Sequence, residues 1–193
     1  MRSFLNLLTN QLSKRTDMST TRFHVVTDET MPAPEAIPAG AVLVPQSVYG
    51  VGRGAAGFTS PPPIRFGSQG APGIHLHLAL RGDYRELPDA ESVVPGTNVG
   101  QKIGFRMNWP GYANWFKHFT IPAAAGLCKK GPLAREVARQ VQDFLQTMSG
   151  NIPAPDARNW NVANIRLEDL VLLELRQVSQ GSWQAVLCLI VVR

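Results

Sequence analysis

Residues 132–148, PLAREVARQVQDFLQTM, with 171–178, VLLELRQV, and 183–192, WQAVLCLIVV, decide the fold of this chain. In the first, Leu133, Val137, Val141, Phe144, Leu145 and Met148 recur at spacings of three and four, while Arg135, Glu136, Arg139, Gln142 and Asp143 fill the other side. That is the period of an amphipathic helix. Pro132 suits a first turn, where its missing N–H costs nothing, and Ser149-Gly150 supplies a stop. The second stretch reads as a strand with Glu174 and Arg176 on its wet face. Ser179-Gln180-Gly181-Ser182 then forms a turn. The third is apolar on both faces in its later part, as a central strand is.

Three more strands are expected upstream. Gly73–Leu80 (GIHLHLAL) alternates Ile74, Leu76, Leu78 and Leu80 with His75, His77 and Ala79. Residues 102–109 and 115–121 flank a Pro110-Gly111-Tyr112 turn and read as a hairpin. From residue 102 the order is strand, strand, helix, strand, strand, as in β-grasp folds; such an analogy of order carries no function. The expected fold is α+β, a mostly antiparallel sheet of strands 73–80, 102–109, 115–121, 171–178 and 183–192 with one main helix packed on it. One domain is expected over residues 19–193.

The N-terminal half is different. Most of the 17 glycines and 15 prolines precede residue 127. Residues 22–27 (RFHVVT) suggest a short strand, and residues 31–40 an extended linker. Residues 41–48 (AVLVPQSV) are strand-like until Pro45 ends the run or confines it to an edge. Residues 50–73 read as a long irregular Gly/Pro-rich loop, a length that signals a lid, a binding surface or disorder. Residues 1–18 form an extension in which Phe4, Leu5, Leu8 and Leu12 share one helical stripe. With Arg2, Lys14 and Arg15 and no acid before Asp17, the same stretch has the composition of a mitochondrial presequence. Met18, followed by Ser-Thr-Thr, is a candidate alternative start.

Charged residues make up only 17% of the chain and the net charge is +5. No run of Lys or Arg exceeds two residues, so the basic clustering of a dedicated nucleic-acid binder is missing. A weak nucleic-acid contact would have to use Arg53, Arg65, Lys129, Lys130, Arg135 and Arg139. The two cysteines lie apart. Cys188 falls in an apolar run, and Cys128 precedes Lys129-Lys130, whose charges would favour its thiolate. Two cysteines without a signal peptide suggest a reducing, cytoplasmic setting, with the mitochondrion as the alternative. The longest apolar run is about seven residues, too short to span a bilayer.

Among chemical motifs, His75 and His77 form an H-x-H pair that a strand would turn to one face. With His118 from another strand they could hold one divalent transition metal. Gly52–Gly57 matches G-x-G-x-x-G, but Pro61-Pro62-Pro63 follows where a phosphate-binding loop needs a helix. No nucleophile motif and no paired carboxylates appear, so the reading leans away from an enzyme and names no cofactor. Trp109, Tyr112, Trp115 and Phe119 crowd around one turn. Together with Phe4, Leu8 and Leu12 they are the expected contact residues of a non-catalytic interaction or self-assembly module, its partner another protein or a second copy.

The Trp-rich hairpin, the helix 132–148 and the ending Leu167-Glu168-Asp169-Leu170…Val178-Ser179-Gln180-Gly181-Ser182-Trp183-Gln184 resemble a group of small proteins from mushroom-forming fungi. The resemblance covers residues 102–193. It implies a eukaryotic intracellular protein and carries over no activity, cofactor or site residue.

Overall fold

The computed structural model describes residues 37–47, 49, 58–68, 71–97, 100–123 and 126–191. The expected contact residues Phe4, Leu8 and Leu12, the strand at 22–27 and the glycine motif 52–57 lie outside the described residues. The architecture is α+β. The described residues form a seven-stranded, mostly antiparallel sheet with a long helix on one face, and a separate two-stranded ribbon.

Four strands make the body of the sheet: β6 (Lys102–Met107), β7 (Trp115–Thr120), β8 (Leu170–Ser179) and β9 (Ser182–Ile190). Each falls where alternation or an apolar run placed it. The sheet order is β2-β8-β9-β6-β7, with β2 being Ile64–Arg65. β8 and β9 form the C-terminal hairpin around Gly181, and β6 and β7 form the aromatic hairpin. β9 runs parallel to β6, with Phe105 beside Trp183 and Arg106 beside Gln184. β1 (Ala41–Leu43) continues along the same side of β9, opposite Cys188 to Ile190. Pro45 explains why β1 stops at Leu43.

The long helix, α2 (Lys130–Met148), buries Leu133, Val137, Val141, Phe144 and Leu145. They pack over Ile103, Phe105, Met107, Leu170, Leu172, Ala185 and Leu187 in one core. Alternation sends Val171, Leu173 and Cys188 to the other face, where they make a smaller apolar cluster with Ala41 and Leu43. Glu174 belongs to that second face, but it is only 4% exposed rather than wet. Arg176 Nε and Nη2 reach it at 2.8 and 2.7 Å, and Arg65 Nε at 3.3 Å. A buried carboxylate needs such pairing.

Two expectations need correction. Residues 73–80 are not a strand. Only β5 (Ile74–His75) pairs with β8; Leu76–Arg81 is a helix, α1, packed on α2. The alternation of leucines hid a second pattern. Leu76, Ala79 and Leu80 also lie at helical spacing, and the residues after Ile74 are good helix formers without β-branching. Gly82, at φ 77°, closes the helix with its N–H on the Ala79 carbonyl. The glycine- and proline-rich loop is likewise more regular than expected over its described part. β2 pairs with β8, β3 (Gly67–Ser68) pairs with β4 (Ala71–Pro72), and Phe66 is buried between them.

Candidate functional site

The H-x-H pair does not form the expected strand-borne metal site. His75 ends β5 and His77 lies in α1, with their rings edge-on at 5.7 Å. The Nδ1 of His75 is occupied, 2.9 Å from each oxygen of Glu86. Glu86 also accepts the His75 backbone N–H at 2.9 Å, so this carboxylate ties down the entry to α1. His118 sits on β7, at the far side of the sheet from β5. Among the described residues no group of three or more His, Cys, Asp or Glu is placed to hold a metal. His77 lines a cleft of about 590 Å³ with Arg81, Gln142, Gln146, Arg166 and Glu168, and its buried Nδ1 has no partner.

The basic residues are dispersed and largely engaged. Lys129 pairs with Glu91 at 2.6 Å, Lys130 with Asp89, Arg139 with Glu136, and Arg65 with Glu174. Arg135 donates to the Leu80 carbonyl at 3.1 Å. The cations next to Cys128 are therefore neutralised, and burial pushes its thiol up. Burial likewise raises Cys188, to about 12. Neither is an activated nucleophile. Elsewhere, the Arg85 guanidinium lowers the Asp83 carboxyl and the Arg166 guanidinium lowers that of Asp169.

The tryptophan-rich turn is core, not surface. Trp109 is 1% exposed and donates its indole N–H to the Trp160 carbonyl at 2.8 Å. Its ring lies 5.7 Å from that of Phe144 on α2, and Trp115 lies 5.8 Å from the same ring. Phe119 packs edge-on against Phe105 at 6.1 Å. Tyr112 is half-buried, its hydroxyl accepting the Val162 N–H at 3.0 Å. Gly111, at φ 79°, has no room for a side chain: a Cβ would meet that of Ala157 at 2.5 Å. These four residues close the end of the core against α2 and the 3₁₀ turns at Pro155–Trp160 and Val162–Asn164.

The other face of the same hairpin holds the more notable arrangement. Phe116 and His118 alternate away from the core, and Phe116 remains 44% exposed. The Arg106 Cζ lies 4.5 Å from the Phe116 ring centroid and 3.6 Å from that of Tyr49. A guanidinium thus lies within cation–π distance of two aromatic rings. His118 stands edge-on to Phe116 at 4.7 Å. Arg106 Nε donates to Ser182 Oγ at 3.3 Å, and neither Nη group donates to any described residue. Phe116 leans across Gly104, where a Cβ would stand 2.5 Å from its Cε2.

Three amides fix Tyr49 in place. Residues 44–47 continue past β1 into the gap between β6 and β9, the Val44 N–H meeting the Leu187 carbonyl at 2.9 Å. Gln46 Nε2 donates to the Ala185 carbonyl at 2.8 Å, and its Oε1 accepts the Asn108 N–H at 3.2 Å. Asn108 Nδ2 and Gln184 Nε2 both donate to the Ser47 carbonyl, at 2.7 and 2.9 Å. Gln184 Oε1 accepts the Tyr49 N–H at 3.2 Å. All three amide residues are buried. The available signal was Gln184, a polar residue inside an otherwise apolar central strand. The pairing of Tyr49 with Arg106 had no sequence signal.

β7 ends the sheet: β6 is its only strand partner among the described residues. The aromatic and cationic patch therefore borders a strand edge that no described residue pairs. No described helix is long and apolar enough to cross a membrane. Compared with protein-family models, with curated proteins and with solved structures, the chain matches none.

Proposed function

We propose that this chain is a non-catalytic protein-interaction module. Its contact surface is the sheet face formed by Tyr49, Arg106, Phe116 and His118, together with the edge of β7 that no described strand pairs. The observation that carries this reading is the Arg106 guanidinium, packed against the rings of Tyr49 and of exposed Phe116, with neither Nη group donating to a described residue. Aromatic residues and arginine are the side chains enriched where proteins meet, and they dominate binding energy there. An unpaired edge strand adds a template of N–H and C=O groups that an incoming chain can use.

A photo-crosslinking benzoylphenylalanine at position 116 tests the surface, with the same group at Ile152, which is 93% exposed, as control. A discrete adduct formed at 116, absent at 152 and lost on Arg106→Ala, is the expected result. Crosslinking at 116 that does not exceed the control refutes the reading. Light scattering of the unmodified protein at several concentrations assigns the adduct to a second copy or to another protein.

A further inference from the structure

We infer that the Arg106 stack is a carboxylate-binding site and that the partner docking there is an extended acidic peptide segment of another protein. The inference rests on the interaction reading above and gives its partner a chemistry. A guanidinium carries five N–H donors in a planar fork, which fits a carboxylate bidentately. In Arg106, Nε is turned to Ser182, and the four Nη hydrogens meet no described acceptor. Tyr49 and Phe116 both lie against the guanidinium, their ring centroids 3.6 and 4.5 Å from its Cζ, so the Nη groups are what remain to bind. Both walls of the clamp are braced: the Tyr49 N–H donates to buried Gln184, and Phe116 lies over Gly104. A donor already held in place loses little side-chain freedom on binding.

Charge complementarity favours an outside partner over a second copy. Among the described residues most carboxylates are engaged by a cation: Asp83 by Arg85, Asp89 by Lys130, Glu91 by Lys129, Asp143 by Lys117 and Glu174 by two arginines. The acids without a basic partner there are Asp156 and Glu168, in or beside the 3₁₀ turns rather than on this face. A copy apposed along β7 would set Lys117 and His118 against their own counterparts, with no described carboxylate left unpaired on this face to meet Arg106. An extended segment paired with β7 places alternate side chains on the Phe116 face, where an acid meets the guanidinium.

The test uses two acetylated, amide-capped pentapeptides, Thr-Val-Glu-Val-Thr and its twin with Gln in place of Glu, titrated into the ¹⁵N-labelled full chain. The expected result is saturable shifts of the Arg106 Nε–H and of the Gly104, Phe116 and Ser182 amides with the Glu peptide. Binding should be about tenfold weaker for the Gln twin and for Arg106→Lys, which keeps the charge but not the fork. Tyr49→Leu should weaken it while leaving the amide spectrum of α2 unchanged. Equal binding of both peptides to this face overturns the acidic partner and leaves the interaction surface standing. Shifts centred on Arg81 or Arg158 overturn the site. A single-stranded oligonucleotide that binds the face and displaces the Glu peptide overturns the partner class. If neither peptide shifts the face, the inference fails, and the crosslinking result decides the surface by itself.

Discussion

Replacing Gln184 by Ala removes the clasp that holds Ser47 and Tyr49 across the sheet. Two bonds disappear: Nε2 to the Ser47 carbonyl at 2.9 Å, and the Tyr49 N–H to Oε1 at 3.2 Å. The two losses are unequal. The Ser47 carbonyl keeps its 2.7 Å bond from Asn108, so this side costs about 1 kcal/mol, the net worth of one hydrogen bond. The Tyr49 N–H has no second described partner, and a stranded donor costs about 1–3 kcal/mol. The sum is about 2–4 kcal/mol, or a Tm lower by roughly 5–15 °C for a chain of this size. Urea unfolding followed by tryptophan fluorescence measures the first figure and differential scanning calorimetry the second. Amide exchange at Val44 and Asn108 should quicken more than exchange in α2, because the damage is local. Gln146→Ala, on the exposed side of α2, should change stability by no more than about 0.5 kcal/mol. If Gln184→Ala costs as little as that control, the amide clasp does not hold the segment, and the account of why Tyr49 stacks on Arg106 is wrong.

Trp109→Ala should cost about 3–5 kcal/mol in urea unfolding, since it opens the end of the core beneath Phe144 and leaves the Trp160 carbonyl without its donor; a loss under about 1 kcal/mol would contradict the core placement. Arg176→Met should destabilise by roughly 2–4 kcal/mol, because it strips buried Glu174 of its closer guanidinium, and Glu174→Gln in the same chain should recover part of that. Asp169 has its carboxyl lowered by the hydrogen bond from Arg166. Its contribution is therefore present above the unfolded-state value and is lost as pH falls through the lower folded value, below about pH 4. Asp169→Asn should flatten that part of the stability–pH curve, and an unaltered acid limb would refute the assignment. Cys128 and Cys188, both raised by burial, should resist a thiol reagent at pH 8 in the folded chain and react in urea. Prompt labelling of the native protein would show one of them exposed.

The strands and the long helix were legible because their patterns are long and redundant. α2 offers six apolar positions in register and a first-turn proline, and β8 and β9 run for most of ten residues each. The segment at 73–80 was misread because eight residues satisfy both periods. Ile74, Leu76, Leu78 and Leu80 alternate, yet Leu76, Ala79 and Leu80 share a helical face, and only tertiary packing on α2 decides between them. The aromatic hairpin posed a different problem. Alternation separates Trp115 and Phe119 from Phe116 and His118, but it does not say which set meets the helix. The larger payload went inside, leaving Phe116 and His118 exposed beside half-buried Arg106. The stack itself could not be read from sequence, since Tyr49 reaches Arg106 only through side-chain amides contributed by segments more than a hundred residues apart.

The position of β9 sets when this surface can exist during synthesis. Both aromatic walls and the cation belong to residues that leave the ribosome early, whereas Ser182 and Gln184 are among the last described residues to emerge. Until β9 threads between β8 and β6, the segment bearing Tyr49 has no carbonyl at Ala185 or Leu187 to grip. A nascent chain therefore presents the Arg106–Phe116 pair of the β6–β7 hairpin without Tyr49, and the completed clamp reports that β9 has joined the sheet.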